Sequence, residues 1–508
     1  MTGTFEDHGF QPGDRTPVAT SLNELNSDIG QEPDEGESQH HAEFPPAAVC
    51  QIALQLHGAI LTSVRRVRRQ FVTAGPPFVT NHLQLATKRY KRANKTGMYA
   101  SISALKDTPM KVDRRHDIDA LRVFAFSLLI LYHVAMFYVA DWGWHVKSSY
   151  QAEWLQFPMT FVNQWRMSLL FIISGLAVSF VWRRYTPGRF ALKRLLRLLL
   201  PLVFGMAFIV APQCYYEALG KGLIEPGFGR FMLQYLTFQD FPGDAWGGEE
   251  IIVWTWNHLW YLAYVLFYSL LLIPIAMLLD GPLRRVRSGF QALRGFWIYA
   301  VPVAVLMVYG AFIYPKFPYM SGAFLDDWYA HAMYGTFFLM GYVIGRDAGF
   351  WSELSRMRWV TLVAAVIFFA LFMVRDELLP SDAFPLADRV KSLIIYSNRW
   401  LWILAVFGWG HRLLNKPKPW LTYATAAVYP WYILHQTITV VLGVHLAKLS
   451  LGPVVEPVLV LGGTIAGCFV LYEFVIRRTP VLRPLFGIAA NAPPIRRAGT
   501  QPRTSPSL

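Results

Sequence analysis

Residues 117–133 read DIDALRVFAFSLLILYH, and the fold follows from how that stretch is taken. It opens the first long apolar run of the chain and carries two residues that hydrocarbon rejects, Arg122 and His133. They are eleven positions apart. At about 100° per residue, eleven steps return to within roughly 20° of the start, so on a helix the two share one face, roughly 16 Å apart. An ionisable residue in a membrane helix is costly and by default faces the bundle interior, where it marks a functional path. The plainer alternative is that Arg122 reaches the headgroups and His133 is a satisfied core histidine.

The rest of the sequence agrees with a membrane setting. Of 508 residues, 54% are hydrophobic, 15% aromatic and 16% charged. Apolar runs of span length fall at 118–140, 160–182, 197–216, 254–279, 296–314, 329–345, 359–374, 393–410, 420–442 and 455–476. The fold class expected is an all-α polytopic bundle of about ten transmembrane helices. The net charge of +14 sits in short clusters between runs rather than on one face, which argues against nucleic acid as a partner. Alternate linkers, among them RRYTPGRFALKRLLR, PLRRVRSGFQALR and RRTPVLR, are the basic ones. They place both termini on the cytoplasmic side of a bacterial-type inner membrane. The opposite side carries acidic, aromatic, Gly-rich linkers. The longest runs from Glu217 to about Val253 and is either an acceptor-binding loop or a plain extracytoplasmic loop. Three cysteines, Cys50, Cys214 and Cys468, show no disulfide framework, and no metal-ligand spacing is present.

Residues 1–110 are a different material: QEPDEGESQHH is acidic, while SVRRVRRQ and KRYKRANK are basic. They read as a disordered cytoplasmic tail. A translation start at Met98 or Met110 is an alternative. Residues 111–487 form the membrane domain, and 488–508 a second disordered tail.

Other polar residues fall at membrane depth. Arg166 lies near the outer start of the second run, in NQWRMSLLFIISG, and His258 with Trp260 opens the fourth. Asp326, Asp327 and His331 cluster at the sixth. His435 in AVYPWYILHQ lies at about the depth of His133, and Glu473 is near the inner face of the last run. Each alone is as easily structural as catalytic. Arg194 and Arg197, at i and i+3 on the inner edge of the third run, share a helix face and suit a phosphate-bearing cytosolic ligand, or else serve as ordinary anchors.

From about Asp113 to Gly487 the chain resembles the acyltransferase-3 family of integral membrane acyltransferases. The motifs, in order, are DIDALR with Arg122 and His133, WRMSLLFIISG, RFALKRLLRLLLP, NHLWYLAY, FFLMGYVIGR, AVYPWYILHQ and YEFVIRRTP. The WRM and HLWYL wording is most similar to the glucan-succinylating branch. The chain departs from the branch that reads SVEEQFYL at the fourth run, having YLAYVLFYSL there. Past Gly487 only a short Pro/Arg stretch follows, so acceptor modification is expected in the membrane domain or with a separate partner.

The resemblance implies an acyl-CoA donor from the cytosol, with an acetyl or succinyl class of acyl group, no metal cofactor, and a glycan or glycolipid acceptor. It implies CoA phosphates at Arg194 and Arg197, the pantetheine arm beside Arg122, and His133 as general base. Arg166 or Trp260 would serve as oxyanion donor and His435 as an orienting residue. A covalent acyl-histidine is an alternative. A proton-coupled secondary transporter or flippase of the same topology is the competing class, and a glycan-assembly scaffold without chemistry a third.

Overall fold

The computed structural model describes residues 114–237, 254–318, 322, 324–380 and 385–489. The two expected tails lie outside the described residues, apart from the last few positions before 490. Among the described residues the architecture is helical, with one isolated bridge between Val139 and Ala152.

The helices that matter are α1 (His116–Met136), α2 (Glu153–Arg184), α3 (Pro187–Gly220), α4 (Phe228–Thr237), α5 (Asn257–Asp280), α6 (Arg284–Gln291), α7 (Phe296–Phe312), α8 (Trp328–Ile344), α9 (Ala348–Leu378), α10 (Ala387–Leu414), α11 (Pro419–Ala447) and α12 (Gly452–Ile476). Each of the ten apolar runs falls on one of them. Seven are long and apolar enough to cross a bilayer: α1, α2, α3, α5, α9, α11 and α12. The other three depart for visible reasons. Helices α7 and α8 are 17 residues each, at the short limit of a span, and α10 carries Asp388, Arg389, Lys391 and Arg399.

Burial separates centre from rim. The most apolar window of α2 is 78% buried, against 17% for α9 and 22% for α12. The last two present Val363, Ile367, Val458, Leu459 and Phe469 outward, the pattern of helices solvated by lipid. Helix α2 reaches the centre because small residues let α8 come close. A Cβ on Gly175 would lie 1.9 Å from the Phe338 carbonyl oxygen, and one on Gly341 would lie 2.1 Å from that of Ile172.

Two helices are irregular near the candidate site residues. Helix α2 breaks at Gln164–Trp165, and the Gln164 carbonyl, out of the helical ladder, accepts from Arg399 Nε at 2.7 Å. Helix α3 widens into π turns at Leu195–Leu199 and Gly205–Val210. Pro201 has no N–H for the Arg197 carbonyl, and the Tyr429 hydroxyl donates to that oxygen at 3.0 Å. At the second widening, Met206 O accepts from Tyr235 at 2.8 Å and Ile209 O from Thr437 at 2.5 Å. Such turns recur at functional sites.

Candidate active site

His133 and His435 meet. Helices α1 and α11 pack together, and His133 Nδ1 lies 2.8 Å from His435 Nε2. The proton positions follow from the partners. His435 Nδ1 is 2.7 Å from the Tyr432 carbonyl, which can only accept, so Nδ1 carries the hydrogen. In the neutral ring Nε2 then holds the lone pair and accepts from His133 Nδ1–H. His133 Nε2 is left with its lone pair and no hydrogen bond among the described residues. His435 is fully buried while His133 is half-buried. The outward face of α1 is made by Phe124 and Leu131 instead, so the stripe points into the bundle.

A third histidine backs the pair. His258 Nε2 donates to Ile433 O at 3.1 Å, its Nδ1 accepts from Gln213 Nε2 at 3.3 Å, and its ring meets His435 edge-on at 5.4 Å between centroids. The Tyr432 hydroxyl donates to His258 O at 2.6 Å. Both fastenings hold α11 at one rotation relative to α5.

Arg166 begins the helix after the break in α2. It is buried, its guanidinium lies 3.2 Å from the centroid of the Tyr132 ring, and Nε and Nη1 have no hydrogen-bond partner among the described residues. A buried cationic donor left unpaired is costly, and an anion or developing oxyanion would satisfy it. Arg166 also lies within electrostatic reach of His133.

At the other end of α1, Arg122 pairs loosely with Asp119 at 3.9 Å and shares a neighbourhood with Arg197 and Tyr261. Arg194 in turn faces Arg197, Arg122 and Tyr429. Three guanidinium groups from α1 and α3 therefore collect at one end of the bundle. Along α3, Arg194 and Glu217 are separated by roughly 34 Å of helix rise, about a hydrocarbon core's thickness.

The remaining candidates go elsewhere. Trp260 sits in an aromatic cluster with Phe171, Tyr264 and Tyr334. Glu473 pairs with Arg477 and accepts from Tyr423 at 3.1 Å. Asp327 accepts from Tyr264 at 2.5 Å, and His331 is bound between Tyr268 (3.1 Å) and Phe324 O (2.5 Å). In the long linker, residues 238–253 lie outside the described residues; the earlier part forms α4. Cys214 and Cys468 are buried and free.

Sequence reasoning missed two features. Arg399 is buried in α10; its one signal was a charge in the middle of an apolar run. The other is a cluster of His145, Glu217, Asn257 and Gln436 beside the histidines. His145 Nδ1 donates to Glu217, and the one lone pair on Nε2 lies within reach of Gln436 Nε2 at 3.0 Å and Asn257 Nδ2 at 3.1 Å. The loop that carries His145 is fastened by Lys147, which donates to Met136 O and Val139 O. Burial pulls the Lys147 ammonium down to about 8.

A family profile described as an acyltransferase domain matches residues 115–473. The chain belongs to this acyltransferase-3 family. Relatives include glucans biosynthesis protein C of Escherichia coli strain K12 and of strain SMS-3-5, each 25% identical over 395 residues, 74% of this chain and 95% of the relative. No solved structure matches. The protein is thus a multi-pass membrane acyltransferase, and the helices that bring His133 onto His435, α1 and α11, lie inside the matched region.

Proposed function

We propose that the protein moves an acyl group, of the acetyl or succinyl class, from cytosolic acyl-CoA to a hydroxyl of an extracytoplasmic or membrane-associated carbohydrate. The observation that carries this reading is the hydrogen bond from His133 to His435, which leaves His133 Nε2 as a free base on a half-buried ring. Orientation supports a cytosolic donor. The three arginines gather at the end of the bundle where the basic linkers lie, and a guanidinium cluster suits the phosphates of CoA. The pantetheine arm then follows α1 from Arg122 toward His133. The carbohydrate part of the reading rests on the relatives, whose name places them in glucan biosynthesis.

The step balances on these residues. The acceptor oxygen attacks the thioester carbonyl while its proton passes to His133 Nε2. His435 accepts the Nδ1 hydrogen of the resulting imidazolium and spreads its charge. Arg166 Nε and Nη1 donate to the tetrahedral oxyanion. Collapse breaks the carbon–sulfur bond, and the imidazolium returns its proton to the CoA thiolate, leaving ester and thiol.

The test is acyl transfer from labelled acyl-CoA in membrane vesicles, comparing wild type with His133→Ala after insertion is verified. Loss of labelled glycan is expected. Normal transfer by the variant ends the general-base assignment.

A further inference from the structure

Beside the histidine pair lies a polar cluster with no part in the step above. Its members come from four places: His145 from the loop after α1, Glu217 from the last turn of α3, Asn257 from the first turn of α5, and Gln436 from α11. Asn257 takes a left-handed backbone (φ 44°), which asparagine tolerates better than most residues. Hydrogen bonds make the cluster rigid. Glu217 fixes the His145 tautomer, and Gln436 Nε2 reaches His145 Nε2 (3.0 Å), Asn257 Oδ1 (3.1 Å) and Gln213 Oε1 (3.1 Å).

One atom is left over. Gln436 is 2% exposed, and its Oε1 is buried with no hydrogen-bond donor among the described residues. Burying an amide oxygen unpaired is costly, and it is satisfied by a ligand that brings an O–H or N–H. The cluster also keeps an opening, because the side chains of His145 and Glu217 are 15% and 27% exposed. Gln436 follows His435 in sequence, so a ligand donating to Oε1 is held next to the base.

We propose that His145, Glu217, Asn257 and Gln436 form a polyol subsite that binds hydroxyl groups of the acceptor and presents one of them to His133. This deepens the acyl-transfer reading and rests on it for the direction of delivery. The chemistry is selective. Hydroxyls can donate to Gln436 Oε1 and Glu217 while accepting from Asn257 Nδ2. A carboxylate or phosphate has nothing to donate to Oε1 and is repelled by Glu217. Planar amide, carboxylate and imidazole groups held by one another offer such donors and acceptors without loss of side-chain freedom on binding. All four act as positioning residues.

The probe is a linear glucohexaose, with the full-length protein in detergent or nanodiscs. Saturable binding to wild type and to His133→Ala is expected, because the base is not needed for binding. Glu217→Gln and Gln436→Leu should each raise the glucohexaose KM about 10-fold or more while the acyl-CoA KM stays put, the loss expected of a hydrogen bond made by a buried or charged group. Asn257→Ser, a milder change, gives the same split if either of those variants misfolds. No binding to wild type overturns the subsite. So does a variant whose thermal stability falls with glucohexaose KM unchanged, which marks a purely structural network, or one in which both KM values rise together. Glucohexaose binding without any acyl transfer to it breaks the proposed acyl-CoA-to-carbohydrate reading and leaves the subsite standing.

Discussion

The two ends of the bundle hold their charges in opposite ways. At one end Arg122, Arg194 and Arg197 face one another, and among the described residues Asp119, 3.9 Å from Arg122, is the one carboxylate paired with them. Arg197 is exposed and Arg194 and Arg122 are half-buried. At the other end the histidines are bound to carbonyls, amides and each other, with tautomers fixed by fully buried partners. Repelling cations near water bind a polyanion and then release it. Neutral imidazoles locked in place can pass a proton without reorganising. On the proposed function, the same scaffold separates holding the donor from reacting with it, and the separation can be tested.

The largest effect belongs to the base itself. His133→Gln keeps volume and polarity but offers no basic lone pair to take a proton. Transfer should fall on the order of 10³-fold, within the usual range for general-base removal, with both substrates still bound. A drop in donor affinity of the same size would erase the distinction between the ends. Next is His435→Ala, which leaves His133 Nδ1–H without its acceptor. The ring is then free to turn or change tautomer, and kcat should drop on the order of 10²-fold with little change in either KM. Equal activity would mean that the 2.8 Å contact does not orient the base.

Arg194→Ala probes the other end. Donor KM should rise roughly 10-fold, and single-turnover transfer from bound donor should keep its rate. A slowed single turnover with normal donor binding would move Arg194 into the chemical step. The smallest effect concerns the loop of His145. Lys147 titrates at about 8 in the folded protein and near 10.5 when unfolded. Between these values the unfolded chain holds one more proton, so this group makes stability rise with pH from about 8 to 10.5. Lys147→Met should remove that rise, seen as a difference of about 1–2 °C in the pH dependence of Tm. Parallel curves for the two proteins would show the ammonium to be better solvated than its burial indicates.

Much of this was legible in the chain. Every apolar run lies on a helix, since hydropathy reports directly on lipid solvation. The face shared by Arg122 and His133 followed from helical period, and His435 was singled out because an imidazole at that depth of an apolar run is costly. Arg166 drew notice for the same reason. The cluster of His145, Glu217, Asn257 and Gln436 was not legible. Each is a single polar residue in a linker, at the edge of a run or inside one, where polar residues are ordinary. Their partners lie 72, 112 and 291 positions away. Trp260 shows the reverse: two residues after His258 in sequence, it turns into a separate aromatic cluster, because residues two apart on a helix point about 200° apart.

Sequence alone determined that the chain crosses a membrane, which residues resist that environment, and which end of each span is basic. These are local quantities, set by the transfer energy of each side chain and a fixed helical repeat. Only the tertiary structure decided that two imidazoles from α1 and α11 share a proton, that Arg166 keeps unpaired donors, and that four distant polar side chains close around one another. Those outcomes depend on how helices rotate and approach, which is governed by contacts such as Gly175 on the Phe338 carbonyl and Tyr429 on Arg197 O. No single stretch encodes such contacts, because each needs both partners in place before it has any energy.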